Sequence, residues 1–137
     1  VPKGSIISAD FCLSSHTDEE KRRIMKMMKH VDYVILSEDS ANSITGETLE
    51  VYSAMELGER VKKAAIVHSP KGSFVSSEDH DFICSSEYIN DTKLDVLGAG
   101  DAFAASFIHN TLKNPNNLQD NVKMAHNFAT NYIQGDR

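Results

Sequence analysis

The feature that most restricts the fold of this chain is a set of three short, unbroken apolar runs with helical patterns between them. Ser5-Ile6-Ile7-Ser8-Ala9, Tyr33-Val34-Ile35-Leu36 and Ala64-Ala65-Ile66-Val67 lack the polar alternation of a strand with one face in water. Runs of this kind suit strands covered on both faces, as in a parallel sheet. Between the first two, Thr17 offers an N-cap and Asp18-Glu19-Glu20 an acidic first turn, both favourable at a helix N-terminus. Ile24, Met27, Met28 and Val31 then recur at helical spacing. Between the second and third, Thr48 to Arg60 places Leu49, Tyr52, Ala54, Met55 and Val61 at helical intervals, with Gly58 near the end. Strand, helix, strand, helix, strand predicts an α/β layer with a largely parallel sheet flanked by helices.

The pattern then changes. Ser73-Phe74-Val75-Ser76 and Asp81-Phe82-Ile83-Cys84 flank the polar Ser77-Glu78-Asp79-His80, which predicts a β-hairpin after the third strand. Two helices close the chain, one after Gly98 carrying Phe103, Phe107 and Ile108, and one from Leu118 to Tyr132. Pro115, within Asn114-Pro115-Asn116-Asn117, marks the turn between them. No repeat or linker divides the 137 residues, so one domain is expected. Its opening Val1-Pro2-Lys3 enters a core-type strand almost at once, and the last helix stops abruptly at Gly135-Asp136-Arg137. Both ends read as cut from something longer.

Charge and cysteine usage narrow the function classes. The net charge is -6 and the densest basic cluster, Lys21-Arg22-Arg23, sits beside three acids, so it reads as a solvated helix face and no nucleic-acid partner is expected. No apolar run approaches the ~20 residues needed to cross a bilayer. Cys12 and Cys84 lie in apolar β-like runs, where buried structural thiols are the ordinary outcome. Without a cysteine framework or a signal peptide, a cytoplasmic location is expected; the sequon Asn90-Asp91-Thr92 is then a chance match.

The stretch that carries chemistry is Leu94-Asp95-Val96-Leu97-Gly98-Ala99-Gly100-Asp101-Ala102-Phe103. Gly98 and Gly100 leave the backbone uncluttered, so its amides can approach a ligand. A helix is predicted to start here, and the first amides of a helix lack internal partners and attract phosphate. Asp101, one turn in, would lie beside the bound group, where a base must sit to take a proton from an attacking hydroxyl. A bare glycine pair would be read only as a turn. This run, however, resembles the signature of the PfkB (ribokinase-like) carbohydrate kinase family, Asp-Thr-x-Gly-Ala-Gly-Asp followed by a small residue and Phe. Asp95, Gly98, Ala99, Gly100, Asp101 and Phe103 match it, and Val96 replaces Thr.

The resemblance runs along the whole chain. Ile6-Ile7-Ser8-Ala9-Asp10 is similar to the family's strand ending in Asp. Val31 to Ser37 and the segment closing at Thr45-Gly46 resemble its next strand and Leu-Thr-Gly turn. Val67-His68-Ser69-Pro70-Lys71-Gly72 resembles the nucleotide loop Thr-x-Gly-x-x-Gly, with Ser69 in place of the first glycine. The resemblance implies a ribokinase-like fold, with residues 1–137 as the C-terminal, nucleotide-binding portion of a PfkB-type kinase domain and the N-terminal substrate and lid portion absent. It implies ATP-dependent phosphoryl transfer to a hydroxyl of a sugar-like small molecule, and a fragment that is inactive alone. Asp101 would be the base and Gly98, Ala99 and Gly100 the anion hole. Ser69, Gly72, Gly98, Gly100 and Asn127 would border ATP. Asp95 would contribute to a monovalent-cation site for K+, Mg2+ would arrive with the nucleotide, and the lid would be a surface for homodimerisation.

Two departures accompany the match. Where many members carry Asn-x-x-Glu, which organises magnesium and phosphate, this chain has Ser37-Glu38-Asp39-Ser40; the second is Ser69 in the nucleotide loop. Both lean toward ketohexokinase-like and fructosyl-amine-kinase-like branches, as does Phe103-Ala104-Ala105-Ser106-Phe107-Ile108. The Ser37–Ser40 departure also suits an alternative, a non-catalytic nucleotide- or sugar-binding regulator on the same fold. Other chemistries find less support. The histidines share no metal-ligand spacing such as HExxH, and His80 falls at the predicted hairpin tip. There is no GxSxG elbow, and Lys71-Gly72-Ser73 precedes a hairpin, unlike a P-loop.

Overall fold

A computed structural model of the chain describes residues 2–12, 16–86 and 96–135. These fall into two compact units, one formed by residues 1–69 and 74–83, the other by residues 70–73 and 84–137.

The first unit is the predicted α/β layer. Its strands are β1 (Ser8–Ala9), β2 (Tyr33–Ser37) and β3 (Ala64–Ser69), followed by residues 74–77 and 81–83 of the hairpin strands β4 (Gly72–Ser77) and β5 (Asp81–Ser85). They line up in the order β1-β2-β3-β4-β5 in one sheet. The pairs β1–β2 and β2–β3 are parallel, with Tyr33 opposite Ala64 and Leu36 opposite Val67. In β2 and β3, residues 33–36 and 64–67 are all buried, which is why those runs show no alternation. Val34, Leu36, Ala65 and Val67 join Ile24, Met28, Ile44, Ala54 and Leu57 in one apolar core.

The helices are α1 (Asp18–Met27), α2 (Glu38–Thr45) and α3 (Glu50–Gly58), and α1 runs into a 3-10 turn at Met28–His30. Thr17 caps α1 as expected. Its hydroxyl accepts from the Glu20 amide while the Glu20 carboxylate accepts from the Thr17 amide, a reciprocal capping box.

Two expectations are corrected. The first strand is shorter than Ser5–Ala9 because the Asp32 carboxylate takes the Ile7 amide, 2.9 Å away. Ile7 still accepts from the Asp32 and Tyr33 amides at 2.9 and 3.1 Å, so it remains attached to the start of β2 without extending the ladder. Cys12 is exposed, whereas Cys84 is buried. The reason lies in position: Cys12 follows the end of β1 and Phe11 supplies the core contact there. The helix α2 is one that periodicity does not announce, because only Ser40, Ala41 and Ile44 are buried in its eight residues.

In the second unit, α4 (Ala99–Lys113) packs against α5 (Leu118–Ile133). Phe103, Phe107 and Thr111 on α4 and Val122, Ala125 and His126 on α5 form the buried seam. Asn121, 1% exposed, donates from its amide to the Asn114 carbonyl at 2.9 Å. That bond satisfies a carbonyl in the turn where α4 ends, which fixes the return into α5.

Candidate functional site

The start of α4 is built by Gly98. With φ at +86° it adopts a left-handed conformation, which glycine enters at little cost. A Cβ at this position would stand 2.7 Å from the Tyr132 hydroxyl of α5. The left-handed backbone therefore favours glycine here, and a Cβ would in addition make the Tyr132 side chain shift. Tyr132 is the residue that sequence reasoning missed. The signal for it was weak, since Tyr132 closes a helical pattern and reads as ordinary packing.

Among the described residues no side chain caps α4. The Ala99 amide donates to the Val96 carbonyl at 3.1 Å, and Gly98 accepts from the Ala102 amide at 2.9 Å. The amides of Gly100 and Asp101 donate to no backbone carbonyl among the described residues. Of the amides expected to face an anion, Ala99's is thus engaged, while that of Asp101 is an additional open donor. The Asp101 side chain is exposed in the first turn. Open amides at the positive end of a fifteen-residue helix attract an anion. An exposed carboxylate in the same turn provides a base beside it.

The same unit holds Gly72 and Asn127. Gly72, with φ at +144°, opens β4, and a Cβ there would strike the Cys84 carbonyl oxygen. Asn127 is exposed on α5. Directly behind these residues lies a buried polar contact, Ser73 Oγ to His126 Nε2 at 2.6 Å. The His126 ring stands edge-on to Phe103, centroids 4.7 Å apart. Burial pushes the His126 pKa down to about 4, so the ring is neutral at ordinary pH.

Ser69 lies in the first unit, half-buried at the end of β3. Asp95 and Asn90-Asp91-Thr92 lie outside the described residues. His80 is at the hairpin tip, its carbonyl accepting from the Ser77 amide and its ring stacked on Phe82. Among the described residues no three His, Cys, Asp or Glu side chains converge as metal ligands. None of their helices is long and apolar enough to cross a membrane. An open groove in the first unit, lined by Met55, Glu59, Lys62, Ser76, Glu78 and Asp81, contains none of the predicted site residues.

Ser37-Glu38-Asp39-Ser40 has a structural explanation. Ser37 is the N-cap of α2, its hydroxyl accepting from the Ser40 amide at 3.3 Å and meeting the Ser40 hydroxyl at 3.2 Å. Glu38 and Asp39 form the acidic first turn.

Comparison with known proteins places this geometry in context. The chain is similar in structure to adenosine kinase from Sinorhizobium meliloti, with a TM-score of 0.81 at 20% identity, covering 96% of this chain and 40% of that one. A probable sugar kinase from Rhizobium etli CFN 42 gives 0.80 at 22% identity, covering 96% and 40%. Aminoimidazole riboside kinase from Salmonella enterica gives 0.80 at 17% identity, covering 95% and 46%. The chain therefore spans less than half the length of these structures, and the likeness establishes a ribokinase-like fold. No curated protein sequence matches significantly. The profile of the pfkB family of carbohydrate kinases matches residues 5–135. A signature glycine run opening a bare helix, this fold and a match over nearly the whole length lead to one conclusion: the chain belongs to the pfkB carbohydrate kinase family.

Proposed function

We propose that the protein containing this chain transfers the γ-phosphoryl group of ATP to a hydroxyl of a sugar-like small molecule. The observation carrying this reading is the start of α4, where, among the described residues, no side chain caps the helix and the Gly100 and Asp101 amides stand open beside the exposed Asp101 carboxylate. Residues 1–137 supply the nucleotide-side portion of the kinase domain, and the part that selects the sugar belongs to the remainder of the domain. ATP supplies the phosphoryl group, and its phosphates carry the magnesium, in keeping with an ion that retains several waters and few protein ligands.

The chain's residues then have separate tasks. The open amides of Gly100 and Asp101 stabilise negative charge on the transferred group, with the helix dipole aligned to assist. The Asp101 carboxylate accepts the proton of the attacking hydroxyl as the new O–P bond forms and the bond to the leaving ADP breaks. Gly72 and Asn127 border the nucleotide, and Ser69 turns the loop before Gly72. Asp95 is assigned to a monovalent-cation site through the family resemblance alone. The alternative, a non-catalytic nucleotide- or sugar-binding regulator, drew on Ser37–Ser40, and the helix cap gives that segment a structural role of its own.

The test measures MgATP binding by calorimetry and ADP release from the full-length protein over a panel of ketoses, aldoses and nucleosides. Asp101→Asn is expected to retain nucleotide binding and to lower turnover about 10²–10⁴-fold, the range for a positioned acid–base group. Parent-level turnover in Asp101→Asn would remove Asp101 as the base.

A further inference from the structure

Three short segments of the second unit approach the proposed site from different parts of the sequence: the loop ending at Gly72, the first turn of α4, and α5 at Asn127. Each has an immediate or near neighbour in a single buried cluster. Ser73 follows Gly72, Phe103 stands two residues beyond Asp101, and His126 precedes Asn127. Ser73 is 2% exposed, Phe103 2% and His126 5%. The Ser73–His126 bond of 2.6 Å and the edge-on His126–Phe103 contact join all three. The outer neighbours, Asp101 and Asn127, are exposed. One buried imidazole thus connects three pieces of backbone that each end in a residue assigned to the reaction.

We infer that Ser73, His126 and Phe103 form a positioning strut that holds the nucleotide loop and α5 in fixed register with the first turn of α4. This rests on the reading of α4 as the phosphoryl-transfer site. His126 touches no reacting atom and is a positioning residue. Packing alone does not require histidine at this place, since a leucine or phenylalanine fills a seam between two helices. A polar ring is required because the Ser73 hydroxyl is itself buried, and a buried hydroxyl without a partner is costly. The low basicity of the buried ring keeps it neutral, so the bond to Ser73 is made without placing a charge in the seam. Displacing a loop by about 1 Å relative to the reacting groups can lower a rate by about 10²-fold, so a connection of this kind acts on turnover more than on folding.

The experiment compares Ser73→Ala, His126→Phe, His126→Gln and the double variant Ser73→Ala/His126→Phe in the full-length protein, with Asp101→Asn alongside. Melting temperature is measured for each, and kcat and KM for ATP are measured well below it with an acceptor from the panel above. His126→Phe keeps a ring but loses the bond. Its kcat/KM for ATP is expected to fall about 10–10²-fold, and the double variant to be no worse than His126→Phe alone. Glutamine places an amide where Nε2 stands and is expected to recover most of the loss. Folded His126→Phe and Ser73→Ala with parent kcat and KM, while Asp101→Asn is inactive, would overturn the strut and leave the kinase reading intact. A parent protein that releases no ADP with any acceptor would overturn both.

Discussion

Two helices in this chain begin in opposite ways, and the contrast shows how the same local physics can close a helix start with a side chain or leave it open. At α2, Ser37 closes the N-terminus with its hydroxyl, and Ser40 is buried against it. One of the donors, the Ser40 amide, is taken by this cap and two acids complete the turn, so this end offers less to an incoming phosphate. At α4, Gly98 provides no side chain, and the amides of Gly100 and Asp101 stay open among the described residues. A glycine N-cap gives up the stabilisation of a side-chain oxygen and leaves the positive end of the helix accessible. An anion is therefore predicted at the second start and not at the first.

The polar groups behind the two starts also differ, and acid should separate them. Near α2 the buried network consists of hydroxyls and an amide: Ser53 bonds Asn42 at 2.6 Å and meets Thr45 at 2.8 Å. None of these titrates. Behind α4 the corresponding group is His126, whose pKa burial lowers to about 4 from an ordinary 6.5. Between those values the unfolded chain binds a proton that the folded chain refuses. The stabilisation from a neutral His126 is present above pH 6.5, declines as pH falls, and is lost by about pH 4, a change of about 3 kcal/mol. Urea unfolding between pH 7 and 4 should show this decline in the parent and a flatter profile in His126→Gln. Equal slopes for the two would mean that His126 is not the group being protonated.

Gly98→Ala tests the bare start directly. Alanine must adopt a left-handed φ and also face the Tyr132 hydroxyl at 2.7 Å. A strained backbone of this sort costs about 1–3 kcal/mol, visible as a lower urea midpoint. Turnover should fall further than stability alone explains, because the first amides of α4 move with the turn. Gly98→Ala/Tyr132→Phe removes the nearest contact and should recover only the part of the loss due to crowding. Full recovery would mean that the left-handed conformation is unimportant here.

Much of this was legible in the sequence, for identifiable reasons. Strands buried on both faces produce unbroken apolar runs, so β2 and β3 were evident, and Thr17 with its acids announced α1. The start of α4 was legible because glycines just ahead of an apolar helical pattern mark a helix N-terminus. What escaped depends on contacts distant in sequence. Asp32 shortens β1 by taking the Ile7 amide, and no pattern within residues 5–9 reveals it. Tyr132 explains Gly98 from more than thirty residues away, and Ser73 finds His126 across fifty-three. The helix α2 was hidden for a different reason. Its cap, Ser37, and its left-handed end, Gly46, were visible, but its interior has too few apolar residues to show a period.

That hidden helix supplies the smallest effect and the sharpest distinction between the two starts. Ser37→Ala removes the hydroxyl that accepts from the Ser40 amide. Loss of a serine N-cap typically costs about 1 kcal/mol, so the urea midpoint should fall slightly. If the first start is purely structural, kcat and KM for ATP should stay at parent values wherever the variant is folded, since a stability change that small leaves the native population nearly complete. The reverse pattern, lower turnover at an unchanged midpoint, would mean that the hydroxyl meets a phosphate or its magnesium despite the closed cap. The two helix starts would then belong to one chemistry, and the division of labour between a capped and an open N-terminus would not hold.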